Sequence, residues 1–207
     1  KIFPEAIPSP IPEINFTPQH ERFQRWISQL TPQVLPNAWG GYRDAGDWDR
    51  RADHALMPLM MFDLEEMFPE HFKDLKFNIP ESGDNIPDLI NEALWKVDFL
   101  KRMQMSDGSV FGAIESADHP RRGEPSWLES LPVFAYNRTR TVAYNYIAVA
   151  ARSALWFKNH NMPERALEYE ESLYKALEWA EKVGENKVPG GERRLEDAIC
   201  LANAELY

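Results

Sequence analysis

The chain has 207 residues and a formal charge of −10, with 33 acidic against 23 basic side chains. That balance argues against a nucleic-acid binder, which needs a basic patch to displace counterions, and against docking on anionic lipid. One cysteine, Cys200, excludes an internal disulfide and a cysteine-based zinc cluster, and no apolar run reaches the roughly 18 residues of a membrane span.

Residues 1–20 hold Pro4, Pro8, Pro10, Pro12 and Pro18, which excludes a helix and reads as a linker or surface strap, the seam to a preceding domain. A short helix is expected from Pro18 to Leu30. The Gly- and Asp-rich stretch Asn37 to Asp49 reads as a loop entering a helix. From Asp53 to Phe68, Leu56, Leu59, Met60, Leu64 and Met67 recur at three- and four-residue steps and predict a helix with that apolar face inward. Met57, Met60, Met61 and Met67 read as core filler. Asn85 suits a cap and Pro87 a first turn for a helix over 86–105, whose stripe runs Leu89, Ile90, Ala93, Leu94, Val97, Leu100, Met103.

Ser106-Asp107-Gly108 stops that helix, and Ser109 to Glu115 suits a short strand. Residues 116–137, with Pro120, Pro125 and Pro132, read as a long irregular stretch of the kind that carries function. An alanine-rich helix follows from Thr139 to Phe157. Asn161-Met162-Pro163-Glu164 has the pattern of a capping box opening a helix to Val183, with Leu167, Leu173, Ala176, Leu177 and Ala180 on one face. A last helix starts near Glu192 and still runs at Tyr207. Cys200 reads as a small buried side chain near a helix end. The chain is thus all-α with long loops and no repeat of fixed period, and its end inside an amphipathic helix suggests part of a larger helical domain.

Asp44-Ala45-Gly46-Asp47 places two carboxylates three residues apart with only small residues between. In a tight turn both can converge on one water, and each raises the pKa of the other, as a general base near neutral pH requires. A helix-capping turn and a metal loop are the rival readings, because Asp49, Asp53 and His54 add density; the EF-hand pattern is not met. His54 and His71 read as surface or structural residues, and Trp95, Trp156 and Trp179 as helix packing. Trp48 and Trp127 lie in loops, where stacking on sugar and core packing are equally open.

Gly40-Gly41-Tyr42-Arg43-Asp44-Ala45-Gly46-Asp47 resembles the signature loop of glycoside hydrolase family 9, whose members fold as (α/α)6 toroids. Three further segments resemble that family in the same order: Asn85 to Ala93 continuing to Gln104, Ala117-Asp118-His119, and Arg193 to Tyr207 ending Ala202-Asn203-Ala204-Glu205-Leu206-Tyr207. The resemblance implies Asp47 as general base, Asp44 as its helper on the same water, and His119 as a contact to sugar hydroxyls. It implies an inverting glycosidase acting on β-1,4 bonds in a β-glucan or glucosamine oligosaccharide, with no cofactor and no metal. Tyr42, Arg43, Trp48, Trp127 and Glu124 are the further substrate-binding candidates. The family's general acid, a distal glutamate, matches nothing here, and Glu115, Glu124 and Glu129 receive no acid role.

Charged residues follow Asp118-His119 where cellulases tend to place tryptophans: Pro120-Arg121-Arg122-Gly123-Glu124. That departure points toward the exo-acting branch, which includes bacterial β-glucosaminidases, with Glu124 and Glu129 available to an ammonium. The expectation is therefore the N-terminal part of an (α/α)6 toroid over 21–207, inactive alone, from a secreted or periplasmic bacterial enzyme, or a cytoplasmic one if it takes imported oligosaccharides. The alternative is a non-catalytic α-helical carbohydrate-binding or scaffold module. A glutamate opposite Asp47 in the missing C-terminal half of the barrel would separate the two.

Overall fold

The computed structural model describes residues 38–42, 49, 52–116, 133–183 and 192–207. The proline-rich start and the helix expected over 18–30 lie outside them. A 3-10 turn, Ala52–Ala55, runs into α1 (Leu56–Met67), followed by the single turn α2 (Pro69–Phe72) and α3 (Asp88–Arg102). Two short strands, β1 (Ala113–Ser116) and β2 (Val133–Tyr136), precede α4 (Arg140–Asn159), α5 (Pro163–Lys182) and α6 (Glu192–Leu206).

Helix α4 is the hub. It packs along α5 and α6 and also touches α1 and α3. Its alanines let those neighbours approach closely: Ala143, Ala148, Ala150, Ala151 and Ala154 are all buried, between the large side chains Tyr146, Trp156 and Phe157. Thr139 starts the helix, its hydroxyl accepting from Val142 N at 3.3 Å, which satisfies one of the orphan amides of the first turn. Phe157 stacks on Tyr169 of α5 with ring centres 5.6 Å apart, a contact worth about 0.5–1.5 kcal/mol beyond area burial. Polar groups stitch α3 to α5 as well: Gln104 Nε2 donates to Ser172 O at 2.9 Å, and Lys101 Nζ lies 2.8 Å from Glu168.

The stripe expected on α3 is the core of the molecule, with Ile90, Ala93, Val97, Leu100 and Met103 at most 2% exposed. Its start differs. Asn85 takes a left-handed conformation (φ 73°) and Pro87 occupies the cap position, while the Asp84 carboxylate accepts from Ile86 N and from the Asn91 side chain. Helix α5 repeats the pattern, since Asn161 (φ 57°) is left-handed and Met162, with no side-chain bond, sits at the cap. Asparagine tolerates φ above zero better than other non-glycine residues, so before an X-Pro start it ends the previous turn rather than capping the next helix.

Helix α1 keeps only Leu59 of the face expected to point inward. Pro58, Leu59, Phe62 and Glu65 point inward, whereas Leu56, Met57, Met60, Leu64 and Met67 are exposed. Glu65 is buried because Trp156 Nε1 donates to its carboxylate at 3.0 Å. Leu167 on α5 is also exposed, its expected place in the core taken by Ala166, Tyr169 and Trp179. Cys200 is exposed, because Ala198 and Ala202 form the buried side of α6.

The strands form a two-stranded antiparallel sheet pairing Ala113 with Tyr136 and Ser116 with Val133. The second strand falls within the stretch expected to be irregular. The Met103 carbonyl accepts from Phe111 N, Gln104 bridges to Val110 and Met105 N donates to Ser109 O, so the turn at Asp107-Gly108 returns the chain past the end of α3.

Candidate active site

One face of α3 carries Glu92, Trp95, Lys96, Phe99 and Arg102, spaced three and four residues apart, and it is the face opposite a good part of the core stripe. This second face holds the stems of the carboxylate loop. Trp95 Nε1 donates to Gly41 O at 3.0 Å. The Arg102 guanidinium lies 3.8 Å over the Trp39 ring and donates to Trp39 O at 2.8 Å. Tyr42 OH donates to Glu92 O at 2.7 Å.

At the centre is Asp49. Its carboxylate accepts from Tyr42 N at 2.6 Å and from Lys96 Nζ at 2.7 Å through Oδ2, and its Oδ1 lies 3.1 Å from His54 Nδ1. Asp49 is 1% exposed and Lys96 fully buried. The backbone of Asp49 is engaged too, its carbonyl accepting from Ile114 N of β1 at 2.8 Å. Tyr42 and Asp49 flank residues 43–48, so one carboxylate closes that stretch into a ring. Ile114 lies three residues before Ala117-Asp118-His119, so the stems of both sequence motifs meet at Asp49.

The double glycine has a physical reason here. Gly40 and Gly41 both take positive φ (109° and 78°). A Cβ on Gly41 would stand 2.5 Å from Asp49 Oδ2, and one on Gly40 2.8 Å from Arg102 Nη2. Only glycine lets the chain turn and lets the anchor groups approach.

Burial sets the electrostatics. It pushes the Lys96 ammonium down, opposed by the charge and hydrogen bond of Asp49. Burial pushes the Tyr42 phenol up, with Glu92 and Asp49 adding to the shift, so Tyr42 stays a protonated donor. Both Asp49 oxygens are taken by protein donors, and among the described residues no group of three or more His, Cys, Asp or Glu is placed to hold a metal ion.

Of the residues that the sequence marks for the site, Tyr42 is described, half-buried and tied to α3 through its hydroxyl. Asp44, Asp47, Arg43, Trp48, His119, Glu124 and Trp127 lie outside the described residues. Asp49, Lys96 and Arg102 have roles that sequence reading missed. The available signal was a lysine set between Trp95 and Val97 and spaced with Glu92 and Phe99 along one helix face. His54 is structural, as expected.

The model of Glycosyl hydrolase family 9 matches residues 17–207. The chain belongs to that family. A family-9 relative, the xyloglucan-specific endo-beta-1,4-glucanase of Bacteroides ovatus, is 28% identical over 149 residues, covering 69% of this chain and 25% of that protein. The cellulose 1,4-beta-cellobiosidase of Acetivibrio thermocellus is 24% identical over 196 residues, 81% of this chain and 22% of that protein. A metagenome-derived family-9 endoglucanase structure superposes with a TM-score of 0.76 at 22% identity, over 98% of this chain and 36% of that one. The chain therefore spans about a quarter of the curated relatives' length, and its helices follow the fold of the family-9 structures, the expected part of the toroid.

Proposed function

We propose that this chain supplies the water-activating half of an inverting β-1,4-glycosidase, with Asp47 as the general base. Asp44 holds and polarises the same water, and His119 contacts sugar hydroxyls. The reading is carried by one observation: Asp44 and Asp47 lie in sequence between half-buried Tyr42 and buried Asp49, two anchors bonded to each other, in the stretch whose sequence resembles the family-9 signature. A carboxylate on a stretch so anchored can deprotonate a water on one side of the anomeric carbon. An acid about 6.5–9.5 Å away must protonate the leaving oxygen on the other side. The relatives named for xyloglucan and cellulose favour a β-1,4-glucan as substrate over a glucosamine oligosaccharide. No described helix is long and apolar enough to cross a membrane, and a secreted or periplasmic setting suits a polymeric substrate.

The test is hydrolysis of cellotetraose, xyloglucan and chitosan tetramer by the full-length protein, with the first-formed anomer followed by proton NMR. A β-linked substrate should yield the α anomer. Asp47→Ala should lower kcat by roughly 10²–10⁴-fold, the range of a lost general base, and Asp44→Ala by clearly less. The β anomer as first product, or equal losses at the two aspartates, would refute the base assignment. Turnover of the chitosan tetramer alone would move the substrate to the glucosamine branch.

A further inference from the structure

We infer that Asp49 and Lys96 are positioning residues for the general base: their buried ion pair holds Tyr42 and Asp49, the two residues that flank the stretch carrying Asp47. The inference rests on the assignment of Asp47 above. Asp47 is two residues from Asp49 along the chain. The carboxylate holds both ends of the stretch, Tyr42 through its amide at 2.6 Å and Asp49 itself through the chain. Lys96 fixes the carboxylate in turn at 2.7 Å, His54 takes its second oxygen at 3.1 Å, and Ile114 N holds the same residue by its backbone carbonyl. Lys96 is itself fully buried, on the helix that carries the core stripe, with its ammonium 5.0 Å from the centre of the Phe99 ring.

Stability alone gives no reason for this arrangement. A buried ion pair is often matched or exceeded by apolar residues of the same volume, because desolvating two charges offsets their attraction. What an apolar pair cannot supply is a charge-assisted acceptor for the Tyr42 amide. Fixing that amide matters to a reaction in which a displacement of about 1 Å costs roughly 100-fold. The close approach that forces glycine at position 41 belongs to the same device, since any side chain there would push the Asp49 oxygen away.

The test separates positioning from folding. In the full-length protein, Lys96→Met alone leaves a buried unpaired carboxylate and should lower Tm. Combining it with Asp49→Leu removes both charges and should recover much of that loss. With cellotetraose as substrate, the double variant should still show kcat lower by roughly 100-fold with KM within about twofold of the parent. Hydrogen exchange of the peptide spanning 42–50 should be accelerated in the double variant, while amides of α4 keep their parent rates. Recovery of kcat together with Tm would overturn the inference.

The unmodified protein supplies a test that needs no variant to fold. The Tyr42 amide should exchange slowly, and an amide exchanging at the rate of an open chain would overturn the inference. Asp47→Ala with undiminished turnover would instead sink the base assignment while leaving the exchange result standing. The two failures are therefore distinguishable.

Discussion

Two of the cation–carboxylate junctions among the described residues, one at Lys96 and one at Arg152, differ mainly in water. At Lys96 and Asp49 both partners are buried and the ammonium is pulled down by desolvation. At Arg152, in the middle of α4, the guanidinium meets Glu205 of α6 at 2.6 and 3.0 Å and Asp63 of α1 at 2.7 Å, with one-fifth of the side chain exposed. There the Glu205 hydrogen bond leads in pushing the guanidinium pKa up, against the effect of partial burial. The bidentate fork also joins three helices that are far apart in sequence. The same chemistry thus serves two ends. In the dry site it fixes one geometry at a high cost of error, and in the wet site it docks helices at a low cost.

The contrast is broken or sharpened first at Lys96. Lys96→Met should cost about 3–5 kcal/mol in urea unfolding, because Asp49 is left as a buried unpaired charge. A loss under about 1 kcal/mol would mean that water or another donor reaches Asp49, and the two junctions would then not differ in kind. Gly41→Ala comes next. Its φ of 78° and the 2.5 Å approach of Asp49 Oδ2 should together cost about 2–3 kcal/mol, with the same acceleration of exchange over 42–50. An alanine tolerated at that position would show that Asp49 can retreat without loss of the fold.

What the sequence made legible follows the same division between apolar pattern and polar contact. The α3 stripe from Leu89 to Met103 could be read because it repeats at helical spacing and continues for four turns. On α1 the spacing again predicted a helix, but two apolar stripes compete in its twelve residues, and the choice depends on Trp156, about ninety residues away, giving Glu65 a partner. Asn161 reads as a cap by type, yet only backbone geometry shows it turning left-handed before Met162-Pro163. The site divides likewise. The Asp44 and Asp47 pair and the double glycine stand out locally, whereas Asp49 looked like one more acid in an acidic stretch. Its meaning comes from Lys96, 47 residues on, and pairing at that distance has no local signature.

Between those extremes, Arg152→Met should cost about 1–2 kcal/mol, since each partly exposed pair contributes on the order of 0.2–1 kcal/mol and the bidentate one lies at the upper end. The loss should shrink as salt is raised from about 0.1 to 1 M, where the screening length falls from about 10 to 3 Å, while the Lys96→Met loss should barely change. Equal salt dependence at the two sites would erase the distinction between them.

The smallest effect is expected at Asp107, half exposed, where Arg138 Nη2 lies 2.7 Å from one oxygen and the Ser109 amide 3.0 Å from the other. Partial burial works to raise this carboxyl, but the Ser109 hydroxyl and amide, with Arg138, hold it below the usual carboxylate range. A carboxyl whose folded pKa is depressed stabilises the fold above its unfolded pKa near 4, and that contribution is lost as pH falls through the lower folded value. Asp107→Asn should therefore lower stability slightly at pH 7, by less than about 1 kcal/mol. It should also flatten the decline of stability with acid, so that variant and parent converge once the pH has fallen below the depressed folded value. A variant whose deficit stayed constant down to that pH would show that the turn, rather than the charge, is what Asp107 contributes, and the graded series from dry to wet would then end at Arg152.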